Sequence, residues 1–260
     1  MKLQYLLTLA TVTVGLTATA QAKMITKTID YQQGGDTLQG YLAYDDKFTG
    51  KRPGVLVAHQ WKGLGDYERE RARMLAEMGY VAFAFDVYGK GIRPKNREEA
   101  GKLSGQYKAN RPLLRNRARA AVITLRKQPN VDVNRLAIIG YCFGGGTALE
   151  LARSGADLKG FVSFHGSLDT PTPADAKNIK GKVLILHGAD DPYSPMKDVV
   201  ALSDELSAAN VNYEIDLYGG AVHSFTEKAA GNDVSSGAAY NAQADARSWA
   251  RMKAFFAEIF

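Results

Sequence analysis

Apolar and polar positions along the chain follow two rhythms. Residues 24–29 and 37–44 alternate apolar and polar around Gly34-Gly35-Asp36, the pattern of an antiparallel hairpin. Beyond it, short apolar runs at 55–59, 81–85, 136–139, 161–165 and 183–187 take over, and a last strand is read over 211–218. Unbroken runs of this length mark strands covered on both faces. Apolar residues at helical spacing fill the intervals. One such helix carries Met74, Leu75 and Met78 on one face, with Asp66 as its cap and Gly79 as its stop. Further helices are predicted over 97–108, 112–128, 147–153 and 237–260. Another spans 195–210, with Val199, Val200, Leu202 and Leu206 turned inward. In the 112–128 helix, Arg115, Arg119 and Arg126 read as a solvated face. Strands and helices alternating after an opening hairpin predict one α/β domain over 23–260. Its central sheet is mostly parallel, with helices on both faces.

Ligands of such sheets bind at the carboxyl ends of the strands. Cys142 and all four histidines, His59, His165, His187 and His223, fall at or just beyond those predicted ends. Cys142 stands in Gly140-Tyr141-Cys142-Phe143-Gly144-Gly145, where an apolar strand runs into a sharp turn and a helix. This is the context of a nucleophile elbow, with cysteine in the place of serine. A nucleophile on a strained turn brings backbone segments so close that a Cβ at Gly140 or Gly144 would clash. A thiol needs a base, and the base an orienting group. The order Cys142, Asp191, His223 is the nucleophile–acid–histidine order of α/β-hydrolases. His165 and His187 read as locally bonded strand ends, and no spacing among the histidines suggests a metal site.

Residues 1–22 read as a secretory leader: Lys2, a largely apolar stretch over 3–16, and the small-x-small site Ala20-Gln21-Ala22. The apolar part is shorter than the ~20 residues of a membrane span. Cleavage after Ala22, a periplasmic location and no retained anchor are therefore expected. Cys142 is the single cysteine, which excludes an internal disulfide and leaves a thiol that must be buried or used. The net charge of +6 comes from basic residues scattered along the chain, so a nucleic-acid interface is not expected. The Gly140 to Gly146 stretch lacks the G-x-G-x-x-G order, which argues against a dinucleotide-binding oxidoreductase.

Three loops together give the chain a specific resemblance. The elbow around Cys142, His187-Gly188-Ala189-Asp190-Asp191-Pro192, and Gly220-Ala221-Val222-His223-Ser224-Phe225 are similar to those of the dienelactone hydrolase family. Asp86-Val87-Tyr88-Gly89 resembles that family's segment after the second parallel strand. The resemblance covers essentially all of 23–260 and implies an α/β-hydrolase fold and a carboxylic ester or lactone hydrolase. Cys142 would be the nucleophile, His223 its base and Asp191, rather than Asp190, the orienting acid. Backbone N–H groups of Phe143 and Trp61 would form the oxyanion hole, and Gln60, His59, Tyr88 and Arg97 would line the substrate pocket. No cofactor and no metal is implied, the partner is a small ester or lactone, and the protein is read as a monomer. Two positions depart from the family. Gln60 replaces an acidic residue, and Glu227 replaces an arginine that holds the substrate carboxylate, so a carboxylate should be repelled. A second reading keeps the fold without turnover, as a periplasmic ligand-binding or thiol-redox protein using Cys142.

Overall fold

The computed structural model describes residues 23–260; the leader read over 1–22 lies outside the described residues. Eight strands form one sheet in the order β1-β2-β4-β3-β5-β6-β7-β8. The hairpin strands β1 (Met24–Gln33) and β2 (Asp36–Asp45) pair antiparallel, and β2 pairs antiparallel with β4 (Val81–Phe85). The rest is parallel: β3 (Arg52–Ala58), β5 (Val131–Tyr141), β6 (Gly160–Phe164), β7 (Lys182–Gly188) and β8 (Tyr213–Tyr218). This is the α/β-hydrolase architecture that the sequence predicts.

The inner parallel strands carry apolar runs because each divides its side chains between two cores, whereas the edge strand β8 keeps Glu214 and Asp216 and exposes Leu217. In β3, Val55 and Val57 enter one core and Leu56 and Ala58 the other. In β5, Ala137, Ile139 and Tyr141 face one side and Leu136 and Ile138 the other. Helices α1 (Asp66–Glu77) and α6 (Ala242–Ile259) cover the first face through Ala72, Leu75, Met252 and Phe256. The second face is covered by α3 (Arg111–Arg126), α4 (Phe143–Arg153) and α5 (Met196–Ala208), through Leu114, Leu149 and Leu202 among others. Helix α2 (Arg97–Ala109) inserts Ala100 and Tyr107 beside them. Among the described residues, no helix is long and apolar enough to cross a membrane.

Local structure departs from the sequence pattern at several points. Asp66 is the first residue of α1, not its cap. Gly65 takes the cap position, and Glu68 reaches back to accept from the Gly65 N–H at 2.8 Å. Met74 and Met78 are only half-buried, and Val200 is exposed, because the buried stripe of α5 runs through Val199, Leu202 and Leu206. The last helix begins after the cap Asn241 rather than at Gly237, whose positive φ ends a preceding turn. Arg115 is not solvated: it donates to the fully buried Glu150 at 2.8 Å and to Asp175 at 2.7 Å. Arg119 and Arg126 are exposed and reach backbone carbonyls.

Candidate active site

The elbow sits between β5 and α4, at the carboxyl edge of the sheet. Cys142 has φ 55° and ψ −118°, a backbone conformation unfavourable for an L-residue and typical of functional turns. The glycines around it are enforced by distance. A Cβ on Gly140 would stand 1.9 Å from the Gly144 carbonyl oxygen, and one on Gly144 would stand 2.2 Å from that of Ala58. Helix α4 starts directly at Phe143, which leaves its first N–H groups without intrahelical partners. Neither the Phe143 nor the Trp61 amide donates to a protein acceptor among the described residues. Both residues line the cavity that contains Cys142.

His223 Nδ1–H donates to Asp191 Oδ2 at 2.7 Å. Asp191 is buried, and its Oδ1 accepts from the N–H groups of Tyr193 at 2.8 Å and Ser194 at 3.2 Å. Asp190 instead accepts from the Gly220 N–H at 3.0 Å and shapes the neighbouring turn. Burial opposes charge on His223, but the adjacent Cys142 sulfur and the Asp191 hydrogen bond outweigh it and push the imidazole up to about 10. The carboxylate on one side and the sulfur on the other thus favour the charged form of the imidazole. In a Cys142→Ala protein the sulfur's share is lost, so His223 should titrate at lower pH by NMR of its ring protons. An unchanged titration would separate the two side chains electrostatically.

The other histidines are neutral and locally bonded. His59 is fully buried. Its Nε2 accepts from the Val87 N–H at 3.1 Å, so the proton is on Nδ1, which donates to the Gln60 carbonyl at 2.6 Å. Burial pushes His59 down to about 4. His187 Nε2–H donates to the Ser194 carbonyl at 2.7 Å. His165 meets the Thr226 hydroxyl at 2.8 Å, and burial holds its pKa well below the ordinary value.

The cavity over Cys142 measures about 330 Å³. Trp61, Arg97, Ser104 and Lys108 form one side; Phe143, Ser167, Tyr193 and His223 form much of the other. Arg97 lies over the Trp61 ring at 5.8 Å. Three expected pocket residues are not part of this lining. His59 and Gln60 are buried behind the Trp61 loop, and Tyr88 packs beneath it, its hydroxyl donating to the Trp61 carbonyl at 2.9 Å. Glu227 also lies elsewhere, in a separate hollow with Gln60, Glu68 and Arg93. Ser104, Lys108, Ser167 and Tyr193 join the lining although no motif marks them. Arg97, Gly101, Ser104 and Lys108 share the i, i+4, i+7, i+11 face of one helix, a pattern visible in the sequence. A larger hollow of about 530 Å³ lies at the opposite, amino-terminal edge of the strands, lined by Lys159, Gly181 and Asn212 among others, with no cysteine, serine or histidine among its described lining residues.

In a cyanobacterium, Synechocystis sp., a protein named "Putative carboxymethylenebutenolidase" is 28% identical over 233 residues, covering 84% of this chain and 91% of that protein. A solved structure named m3DLH is 43% identical with a TM-score of 0.88, covering 91% of this chain and 99% of its own. A dienelactone hydrolase-like promiscuous phosphotriesterase, P91, from metagenomic libraries is 40% identical with a TM-score of 0.86 and the same coverage. The sequence pattern of the dienelactone hydrolase family matches residues 38–260. With nearly the whole described chain inside that match, the protein belongs to the dienelactone hydrolase family.

Proposed function

We propose that this ester or lactone hydrolase works through Cys142, His223 and Asp191 and a thioester acyl-enzyme. The observation that carries the reading is the imidazole of His223, fixed by Asp191 on one side and set against the Cys142 sulfur on the other. His223 takes the thiol proton as the sulfur attacks the carbonyl carbon. The carbonyl oxygen takes up the negative charge between the N–H groups of Phe143 and Trp61. The intermediate collapses, the imidazolium protonates the departing alkoxide, and the acyl group remains on sulfur. Water then loses a proton to His223 as it attacks the thioester, and the intermediate collapses to free the acid while His223 returns the proton to the departing sulfur. Asp191 keeps the Nδ1 proton in place throughout.

The cavity wall bears on the substrate. Arg97 and Lys108 face it, Lys108 paired with Asp169 at 3.0 Å, and among the described residues no carboxylate lines it. With Glu227 in a different hollow, the repulsion expected from that position is removed, and esters or lactones bearing an anionic group are favoured. Export belongs to the same proposal: the leader over 1–22 would deliver a monomeric enzyme to the periplasm, cleaved after Ala22.

The test is to trap the intermediate. The protein beginning at Lys23, mixed with a slowly deacylating aryl ester, should gain one acyl mass on the peptide containing Cys142, released by hydroxylamine. A panel of short aryl esters, lactones and an aryl phosphotriester then ranks the substrates. Turnover with an acyl group on no residue, or on another one, would remove the thioester mechanism.

A further inference from the structure

Glu68, in the first turn of α1, is 2% exposed, and no lysine or arginine forms a salt bridge with it among the described residues. A buried carboxylate without a cation is expensive unless N–H donors surround it. Its two oxygens are used separately. Oε1 accepts from the Gln60 N–H at 3.1 Å and Oε2 from the Gly65 N–H at 2.8 Å. One side chain thus ties together both ends of the loop that carries Trp61.

The rest of that loop is fixed as well. The Gln60 carbonyl accepts from His59 Nδ1–H at 2.6 Å and from the Gly63 N–H at 3.0 Å. The Trp61 carbonyl accepts from the Tyr88 hydroxyl, and the Leu64 carbonyl accepts from Arg93 Nε at 2.9 Å. Because a trans peptide is planar, its N–H points away from its C=O. With the Gln60 carbonyl held on the His59 side, the Trp61 N–H of the same peptide is aimed the other way. Glu68 fixes the amide on the near side of that peptide and, at Gly65, the far end of the loop.

We infer that Glu68 is a positioning residue for the oxyanion hole, holding the Trp61 N–H in place through the Gln60 and Gly65 amides. The inference rests on the reading of Cys142 as nucleophile, and its consequences are separable from that reading. Acylation by an ester develops an oxyanion and needs the hole. Alkylation by iodoacetamide forms a C–S bond as iodide leaves, develops no oxyanion, and needs only the thiolate.

The two rates are measured side by side in the protein beginning at Lys23 and in Glu68→Gln and Glu68→Asp. Glutamine sets an NH2 against one of the two amide N–H groups, and aspartate is one methylene too short to reach both. In both variants the single-turnover acylation rate with p-nitrophenyl acetate should fall roughly 10–100-fold, with alkylation within about twofold of the parent. Acylation within about twofold of the parent in both variants overturns the inference. So does alkylation falling in step with acylation, since that would report general disruption of the site. Ester turnover persisting in Cys142→Ala would remove the nucleophile reading, and the inference with it.

Discussion

The Asp191→Asn protein should turn over ester about 10⁴-fold more slowly than the parent, with little change in folding. The reason lies in how Asp191 divides its oxygens. Oδ1 accepts from two backbone N–H groups, those of Tyr193 and Ser194, and Oδ2 from His223. An asparagine keeps its single carbonyl oxygen where two donors demand it. Its NH2 is then turned toward His223 Nδ1, which must become an acceptor. The ring proton moves to Nε2, the nitrogen that has to take the thiol proton, and the base is lost. The charge that stabilises the imidazolium goes with it. Steady-state kcat, corrected for active sites by thiol titration, reads the effect. A variant retaining a tenth of the parent kcat would show that the histidine is oriented by something else.

Removing Glu150 should produce the largest loss of stability. It sits fully buried on the helix that follows the nucleophile, accepting from Arg115 at 2.8 Å and Arg153 at 3.1 Å, with Arg111 at 3.7 Å. Arg153 is itself 1% exposed. Truncating one member of a buried charge pair costs about 3–5 kcal/mol because the partner is stranded. Each arginine keeps a second carboxylate here: Glu205 for Arg153, Asp175 for Arg115 and Asp169 for Arg111. The Glu150→Ala loss should therefore fall near the lower end, about 3 kcal/mol. For a domain of this size that is roughly 6–12 °C in Tm. Urea unfolding monitored by fluorescence checks it; a loss under about 1 kcal/mol would mean that water replaces the carboxylate.

What the sequence made legible follows from how local each determinant is. Strands β4, β6 and β7 could be placed within a residue because a continuous apolar run states directly that both faces are covered. The elbow was legible because its glycines answer a steric demand set within a few residues. The helix predicted over 147–153 begins at Phe143, although Gly144, Gly145 and Gly146 are poor helix formers. Close packing overrides that preference: a Cβ on Gly145 would lie 2.5 Å from Ser163 Oγ. The pocket wall was the least legible part. Near a strand end one residue's difference decides which side a side chain faces, and His59, Gln60 and Tyr88 all turned into the support of the Trp61 loop. Arginine spacing on α3 could not reveal Glu150, because the carboxylate that draws Arg115 inward comes from a different helix.

The crowding around the elbow has a consequence for how such an enzyme can change. At Gly140 and Gly144 the nearest atoms to an added Cβ are backbone, so no neighbouring side chain can be traded to make room. These positions are closed to stepwise substitution. The cavity wall is built differently. Arg97, Ser104 and Lys108 stand on one helix, and Ser167 and Tyr193 on two separate loops, each contributing a side chain rather than backbone geometry. Mutation can therefore revise what enters the cavity one wall at a time while the reacting groups stay fixed. A library confined to those five positions should yield altered substrate ranges at little cost in folding, whereas the same number of changes spread over the elbow should yield mostly unfolded chains.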